Sequence, residues 1–242
     1  MKTTTAHRLL AATLALASFS ALAQDALIRK NLAARIPQLQ NIDEISKTPM
    51  AGLFEVRVGN DVFYTDAKGN FLLQGELIDT TRQRNLTEER IAKLTAVDFA
   101  TLPMADAFTI VRGNGQHHLA VFEDPNCGYC KHFEKDLNKV DNVTVHLFLY
   151  PILGADSVEK ARNHWCAKDK GAAWQDWMVR DKPATVASCD TAAIKRNVDF
   201  GRKYKITGTP TVIFSDGTRV PGAINTEQIE QRIAQAESGK AD

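Results

Sequence analysis

The sequence predicts an α+β/α/β protein in two parts: a small N-terminal antiparallel β domain and a larger α/β domain with a mixed sheet, joined by a helix. Three observations predict it. Between Gly52 and Asp79, apolar residues recur with a period of two between turn signals. A helical stripe follows from Asn85. Beyond Ala107, strand-like runs alternate with helical stretches, the plan of helices packed on a sheet. The 242 residues suffice for one large or two small domains, and 44% hydrophobic with 24% charged residues is the composition of an ordinary soluble protein.

Residues 1–23 read as a cleavable signal peptide. Lys2, His7 and Arg8 precede an apolar run, Leu9 to Leu22, which ends in the small-x-small pattern Ala21-Leu22-Ala23. The run is too short to span a bilayer. Its removal takes Lys2 and Arg8 away and leaves 28 basic against 29 acidic residues, so nothing points to nucleic acid or to insertion in a membrane. All four cysteines lie beyond it, in a chain addressed to an oxidising compartment where an even count suggests disulfides.

From Gln24 to about Pro49, Leu27, Ile28, Leu32, Ile36 and Leu39 recur at helical spacing, and Pro37 interrupts them; one short helix with a bend is expected. Then Phe54, Val56 and Val58 alternate with Glu55 and Arg57. Gly59-Asn60-Asp61 turns, Val62 to Thr65 returns, Asp66 to Asn70 turns again, and Phe71–Leu73 and Glu76–Asp79 complete a meander. So small a meander cannot hold a core alone. Residues 24–84 are therefore read as a dimerisation domain, its missing surface supplied by a second copy.

Asn85 and Thr87 offer caps, Glu88 and Glu89 sit in the first turn, and Ile91, Leu94 and Val97 form a stripe, which predicts a linker helix over 85–103. Residues 104–242 form the larger domain. Phe108–Arg112 and His117–Phe122 are expected to pair as a hairpin around Gly113-Asn114-Gly115. Val143–Leu149 is apolar throughout, as befits a strand covered on both faces. Residues 156–203 are helical pieces carrying Cys166 and Cys189. Thr211–Phe214 and Thr218–Val220 flank a turn at Asp216-Gly217, and Thr226–Ala236 closes the chain as a helix.

The chemistry is carried by Phe122-Glu-Asp-Pro-Asn-Cys127-Gly-Tyr-Cys130, two thiols where a strand hands over to a helix N-terminus. Unpaired N–H groups and the helix dipole favour a thiolate there, and Cys130 lies one turn on, within bonding reach. A thiolate at neutral pH needs about 4 kcal/mol, a pKa lowered by about three units. A helix terminus supplies about 0.3–1 kcal/mol and at most about 2. Direct hydrogen bonds to the sulfur, from nearby backbone N–H groups and from the Cys130 thiol, must supply the rest. Zinc is the rival reading. Cys166 and Cys189 are far off and no second Cys-x-x-Cys exists, so no metal or other cofactor is expected. Cys166 and Cys189 flank a segment with Trp174 and Trp177, and a bridge between them reads as structural.

These residues resemble the thioredoxin superfamily: Cys127-Gly128-Tyr129-Cys130 after a strand, and Gly208-Thr209-Pro210 before a later one. The whole chain resembles the periplasmic protein disulfide isomerases of that superfamily. The resemblance implies a dimerisation domain, a linker helix and a thioredoxin-like catalytic domain with a helical insert. It implies catalysis by Cys127 and Cys130, support from Gly128, Tyr129, Thr209 and a cis Pro210, and a second cysteine pair within the insert. Its implied partners are a second copy of the chain, misoxidised or unfolded exported proteins, and a membrane-embedded thiol reductase of the DsbD type. One position departs from the superfamily: its buried carboxylate six residues before the first cysteine is Val121 here. Glu123 and Asp124 are the nearest acids, and the acceptor of the Cys130 proton stays open. The expected function is rearrangement of wrong disulfides. A thiol oxidase, a dimeric chaperone, or a reductase of oxidised single cysteines are the alternatives.

Overall fold

A computed structural model describes residues 23–238. The expected signal peptide, apart from Ala23, lies outside the described residues. The chain divides into two compact units, one ending at Leu94 and one starting at Thr95.

The first unit opens with a helix over 23–35 (α1), stopped before Pro37, and a 3-10 turn, Pro37–Leu39. A four-stranded antiparallel sheet follows in sequence order: β1 (Glu44–Lys47), β2 (Leu53–Val58), β3 (Asp61–Asp66) and β4 (Leu72–Leu73). Ile28, Leu32 and Leu39 pack on Phe54 and Val56 to make its core. The two-residue strands β5 (Ile78–Asp79) and β6 (Arg84–Asn85) pair with each other. Helix α2 spans Leu86–Thr95, shorter than the helix expected over 85–103. Its polar groups tie it to this sheet. Thr87 Oγ1 bonds Tyr64 Oη at 2.5 Å, and Arg90 reaches Glu55 at 2.8 Å and Glu44 at 2.6 Å.

The helix stops early because Val97 is claimed by the second unit. Val97 is 1% exposed and its N–H donates to Gly217 O at 2.9 Å. Gly217, at φ +86, is required there: a Cβ would stand 2.8 Å from Val97 O.

The second unit is a five-stranded mixed sheet, in the order β11-β10-β8-β9-β7, with β7 (Phe108–Val111), β8 (His117–Glu123), β9 (Val143–Leu149), β10 (Thr211–Phe214) and β11 (Arg219–Pro221). The strands β7 and β8 do not form the expected hairpin. Both pair with β9, β7 antiparallel and β8 parallel, so β9 lies between them. A strand buried on both faces gains more from two neighbours than a local hairpin would. The connection instead passes over the start of β9. Arg112 exchanges backbone hydrogen bonds with Val143, and Gly113, at φ +58, leaves no room for a Cβ beside Asn142.

Side chains alternate across the sheet. Leu119, Val121, Val143, Val145, Val212 and Phe214 face α3 (Gly128–Leu137) and α7 (Thr226–Ser238). Ala120, Phe122, Phe148 and Ile213 face the segment around Val97 and Leu102 and flank α6 (Ala192–Lys203). The insert contributes α4 (Ala155–Trp165) and α5 (Lys170–Arg180), whose Ala161, Trp174 and Met178 pack on Cys127 and Cys130. No described helix is long and apolar enough to cross a membrane.

Candidate active site

The loop between β8 and α3 is fixed by the carboxylate of Asp124. Its Oδ1 accepts from Asn126 N and Ser157 Oγ, both at 2.8 Å, and its Oδ2 accepts from Ile152 N at 2.7 Å and Leu153 N at 2.9 Å. Its backbone O accepts from Cys127 N at 3.0 Å. Trp177 Nε1 donates to Pro125 O at 2.6 Å, and Asn126 Nδ2 donates to Asp156 at 2.7 Å. The chain ahead of the first cysteine is thus bonded to the β9–α4 connection and to the insert, and the sulfur inherits a fixed position.

Cys127 is the N-cap of α3, its Sγ accepting from Cys130 N–H at 3.2 Å. As a thiol it donates to Thr209 O at 3.2 Å, in front of a cis Thr209–Pro210 peptide. The structure therefore brings Cys127, Cys130, Thr209 and Pro210 together. Gly128 has open space around it and Tyr129 is 74% exposed, so this pair of residues presents the dithiol to solvent. Cys127 is 5% exposed and Cys130 is fully buried; the two are unbonded thiols.

The environments of the two sulfurs drive their ionisation apart. The Cys130 thiol hydrogen bond does most to bring Cys127 down to about 6, against opposition from burial, with help from the Thr209 side chain and the N–H groups of Cys130 and Tyr129. The Thr209 carbonyl contact favours the thiol form and is outweighed. Cys130 is pushed far up, first by burial, then by its hydrogen bond to Cys127 and by the charge of Glu123. At pH 7 about nine-tenths of Cys127 is thiolate while Cys130 keeps its proton. Direct donors to the sulfur, more than the helix dipole, make the nucleophile.

Cys166 and Cys189 are disulfide-bonded, with Cα atoms 5.5 Å apart, and the bridge ties the end of α4 to the irregular segment ahead of α6. Trp165 Nε1 supports that segment through Asp190 O at 2.9 Å. His132, one turn past Cys127, is exposed and lies 3.6 Å from Asp136.

Sequence reasoning named Glu123 but missed Glu134 and the way Trp174 joins the two carboxyls. Glu123 and Glu134 are both fully buried, and Trp174 Nε1 donates to both, at 3.2 and 3.1 Å. Gln175 Nε2 donates to Glu134 at 2.6 Å, and Arg112 stands 3.7 Å from it. A signal was present: Glu134 is four residues after Cys130, on the buried face with Phe133 and Leu137.

A buried dithiol with one ionised and one protonated sulfur, at the head of a helix on a thioredoxin-type sheet, defines a thiol:disulfide exchange protein. Residues 104–237 match a thioredoxin-like domain, and residues 19–88 match the disulfide bond isomerase protein N-terminal domain. The chain belongs to the DsbC family of thiol:disulfide interchange proteins. It is 44% identical over 193 residues to a probable thiol:disulfide interchange protein DsbC of Bordetella parapertussis, covering 80% of this chain and 68% of that one. It is 32% identical over 216 residues to the thiol:disulfide interchange protein DsbC of Escherichia coli K12, covering 86% and 87%. A crystal structure of a disulfide interchange protein from Neisseria gonorrhoeae, 34% identical, superposes with a TM-score of 0.53 over 56% of this chain and 98% of that one.

Proposed function

We propose that the chain is an exported, periplasmic protein disulfide isomerase that works as a homodimer. The observation that carries the reading is the geometry of the dithiol: Cys127 caps α3 with its Sγ 3.2 Å from Cys130 N, and Cys130 is fully buried, surroundings that bring Cys127 down to about 6 and hold Cys130 protonated. The Cys127 thiolate attacks a wrong disulfide in a client and forms a mixed disulfide, releasing one client thiolate. A client thiolate then attacks the client sulfur in that bond, which frees Cys127 and leaves a new client disulfide. Cys130 attacks Cys127 only when the complex stalls, and the Cys127–Cys130 disulfide so formed has to be reduced again. A membrane thiol reductase of the DsbD type suits that step. The Thr209 backbone beside Cys127 Sγ suits an extended client segment, and the Cys166–Cys189 bridge acts as a structural staple.

The dimer reading is supported by the first unit, where Phe71, Leu73 and Ile78 are exposed along β4 and β5. Exposed apolar strand edges call for a partner.

Refolding of a scrambled multi-disulfide substrate tests the function. Cys127→Ser abolishes isomerisation while leaving any suppression of aggregation in place. Paired Phe71→Glu and Leu73→Glu substitutions give a monomer by sedimentation that still exchanges disulfides with small thiols but isomerises poorly. A Cys127→Ser protein that isomerises normally overturns the mechanism, and a doubly substituted protein that sediments as a dimer overturns the interface.

A further inference from the structure

Two histidines outside the active site face each other across neighbouring strands. His118, on β8, and His146, on β9, lie on one face of the sheet, and the parallel register offsets them: His118 is opposite Thr144, and His146 is opposite Ala120. The rings make up the offset. His118 presents Nδ1, His146 presents Nε2, and the two nitrogens are 3.0 Å apart. The ring planes differ by 15° and the centroids are 5.4 Å apart, so the rings meet at their nitrogen-bearing edges and not across their faces. Phe99 packs at an angle of 71° against His146, with 6.1 Å between centroids, and helps to fix that ring. His118 is exposed and His146 is half-buried, so solvent reaches the gap from one side.

A gap between two imidazole nitrogens holds a shared proton or a metal ion. The spacing admits the ion: two nitrogens bound at right angles to one ion, each about 2.1 Å from it, stand about 3.0 Å apart. A tilt of the exposed His118 ring aims both lone pairs at one point. The ligand form of histidine is the neutral ring. Burial, with the neighbouring His118, holds His146 below its ordinary value, so it is ready to ligate at pH 7.

The donor set selects the class of ion. No cluster of three His, Cys, Asp or Glu side chains able to hold a metal exists among the described residues, so water completes the coordination here. Two imidazoles with water suit a divalent ion of the late first row, Cu2+ ahead of Ni2+ or Zn2+, whereas Mg2+ and Ca2+ call for oxygen ligands. The other described histidines are engaged elsewhere. His117 pairs with Glu237, His132 lies 3.6 Å from Asp136, and His164 is buried against Trp174.

We propose that His118 and His146 form a binding site for a divalent late transition-metal ion, which cross-links β8 and β9. The ion takes the place of the shared proton, which passes to water, and no electron is transferred. The site stands apart from the dithiol exchange proposed above: His118 is near the first residue of β8, and Cys127 follows the last.

The test uses the untagged full-length protein with Cys127 and Cys130 oxidised to a disulfide, so that neither sulfur can ligate. Calorimetric titration gives one Cu2+ bound per chain, with Zn2+ bound more weakly. His118→Ala lowers the affinity for Cu2+ at least about 10-fold, since loss even of an outer-shell partner costs that much. Electron paramagnetic resonance of the Cu2+ protein shows two nitrogen ligands, and one fewer in His118→Ala. Cu2+ raises the melting temperature of the wild type and leaves that of His118→Ala where it was. His146→Ala gives the same losses. If that variant lacks a cooperative melt, His118→Ala decides alone, because its ring is exposed and its removal spares the core. Absence of Cu2+ binding overturns the proposal and leaves the pair as a hydrogen bond. Equal affinity in the wild type and His118→Ala overturns it too, as does loss of binding in His117→Ala with His118→Ala unaffected. No thiol and no client takes part, so the outcome is independent of the scrambled-substrate assay.

Discussion

Replacing Cys130 by Ala removes the largest single contribution to the thiolate of Cys127. In the wild type, the Cys130 thiol is the leading donor, and the Thr209 side chain and the N–H groups of Cys130 and Tyr129 add to it. The Ala variant keeps the N–H that lies 3.2 Å from Sγ and loses only the S–H. A hydrogen bond to a charged group contributes about 1.5–3 kcal/mol. At 1.36 kcal/mol for each pH unit, the midpoint of Cys127 rises from about 6 to about 7–8. It stops short of its ordinary value of 9.0 because the other donors remain. The thiolate fraction at pH 7 falls from about nine-tenths to between about one-half and one-tenth. The pH dependence of iodoacetamide alkylation measures this directly. Cys130→Ser restores an O–H donor at the same place, and its midpoint lies below that of the Ala variant. A midpoint that stays near 6 in Cys130→Ala refutes the reasoning and assigns the thiolate to the helix terminus and backbone alone.

Removing the bridge with Cys166→Ala and Cys189→Ala costs about 3.5 kcal/mol in the chain-entropy model, for a sequence separation of 23. A denaturant titration reads that loss, and an unchanged midpoint shows that the bridge is not a staple. Gly201→Ala puts a methyl group into the Tyr150 ring, whose hydroxyl is held by Ile206 O at 2.8 Å, and costs about 1–3 kcal/mol by overpacking. It leaves the Cys127 midpoint where it was. Because Cys127 ionises more readily folded than unfolded, it adds stability to the reduced protein as pH rises from about 6 toward 9, and that contribution is lost as pH falls through 6. Thermal melts of the reduced protein compared with Cys127→Ala across pH 5–9 show the gap opening upward. A gap that widens toward low pH has the wrong sign.

What could be read in the sequence was whatever is fixed locally. Period-two alternation found β2 and β3, and the short signals at Phe71–Leu73 and Glu76–Asp79 became the two-residue strands β4 and β5. The strand-to-helix turn placed Cys127 at its cap, and Pro37 marked the end of α1. The strand β1 escaped notice because Glu44–Lys47 holds one apolar residue, Ile45, and exists by pairing with β2. The misplaced hairpin and the shortened helix share a cause. In each, a distant partner, β9 for the strands β7 and β8 and Gly217 for Val97, gains more than the neighbouring residues can supply. The dithiol was legible as a motif and Glu123 as a nearby acid, whereas the second carboxyl, Glu134, was not. Glu134 reads as one more charge on an amphipathic helix until α5 brings Trp174 and Gln175 over it.

The same burial that keeps Cys130 protonated bears on which reaction the dithiol performs. Once Cys127 is in a mixed disulfide, it no longer offers a charge for the Cys130 thiol to donate to, yet Cys130 stays in an apolar cluster with Leu147, Leu149 and Trp174. Attack by Cys130 then requires ionising a buried thiol beside a second acidic group, and both effects disfavour the thiolate. A client thiol in open water pays no such desolvation. In the proposed mechanism, the mixed disulfide then lasts long enough for client thiols to compete for it, and that competition separates isomerisation from simple reduction or oxidation. In the proposed mechanism, Cys127 sets how fast a client is captured, and the compartment around Cys130 sets how long it is held.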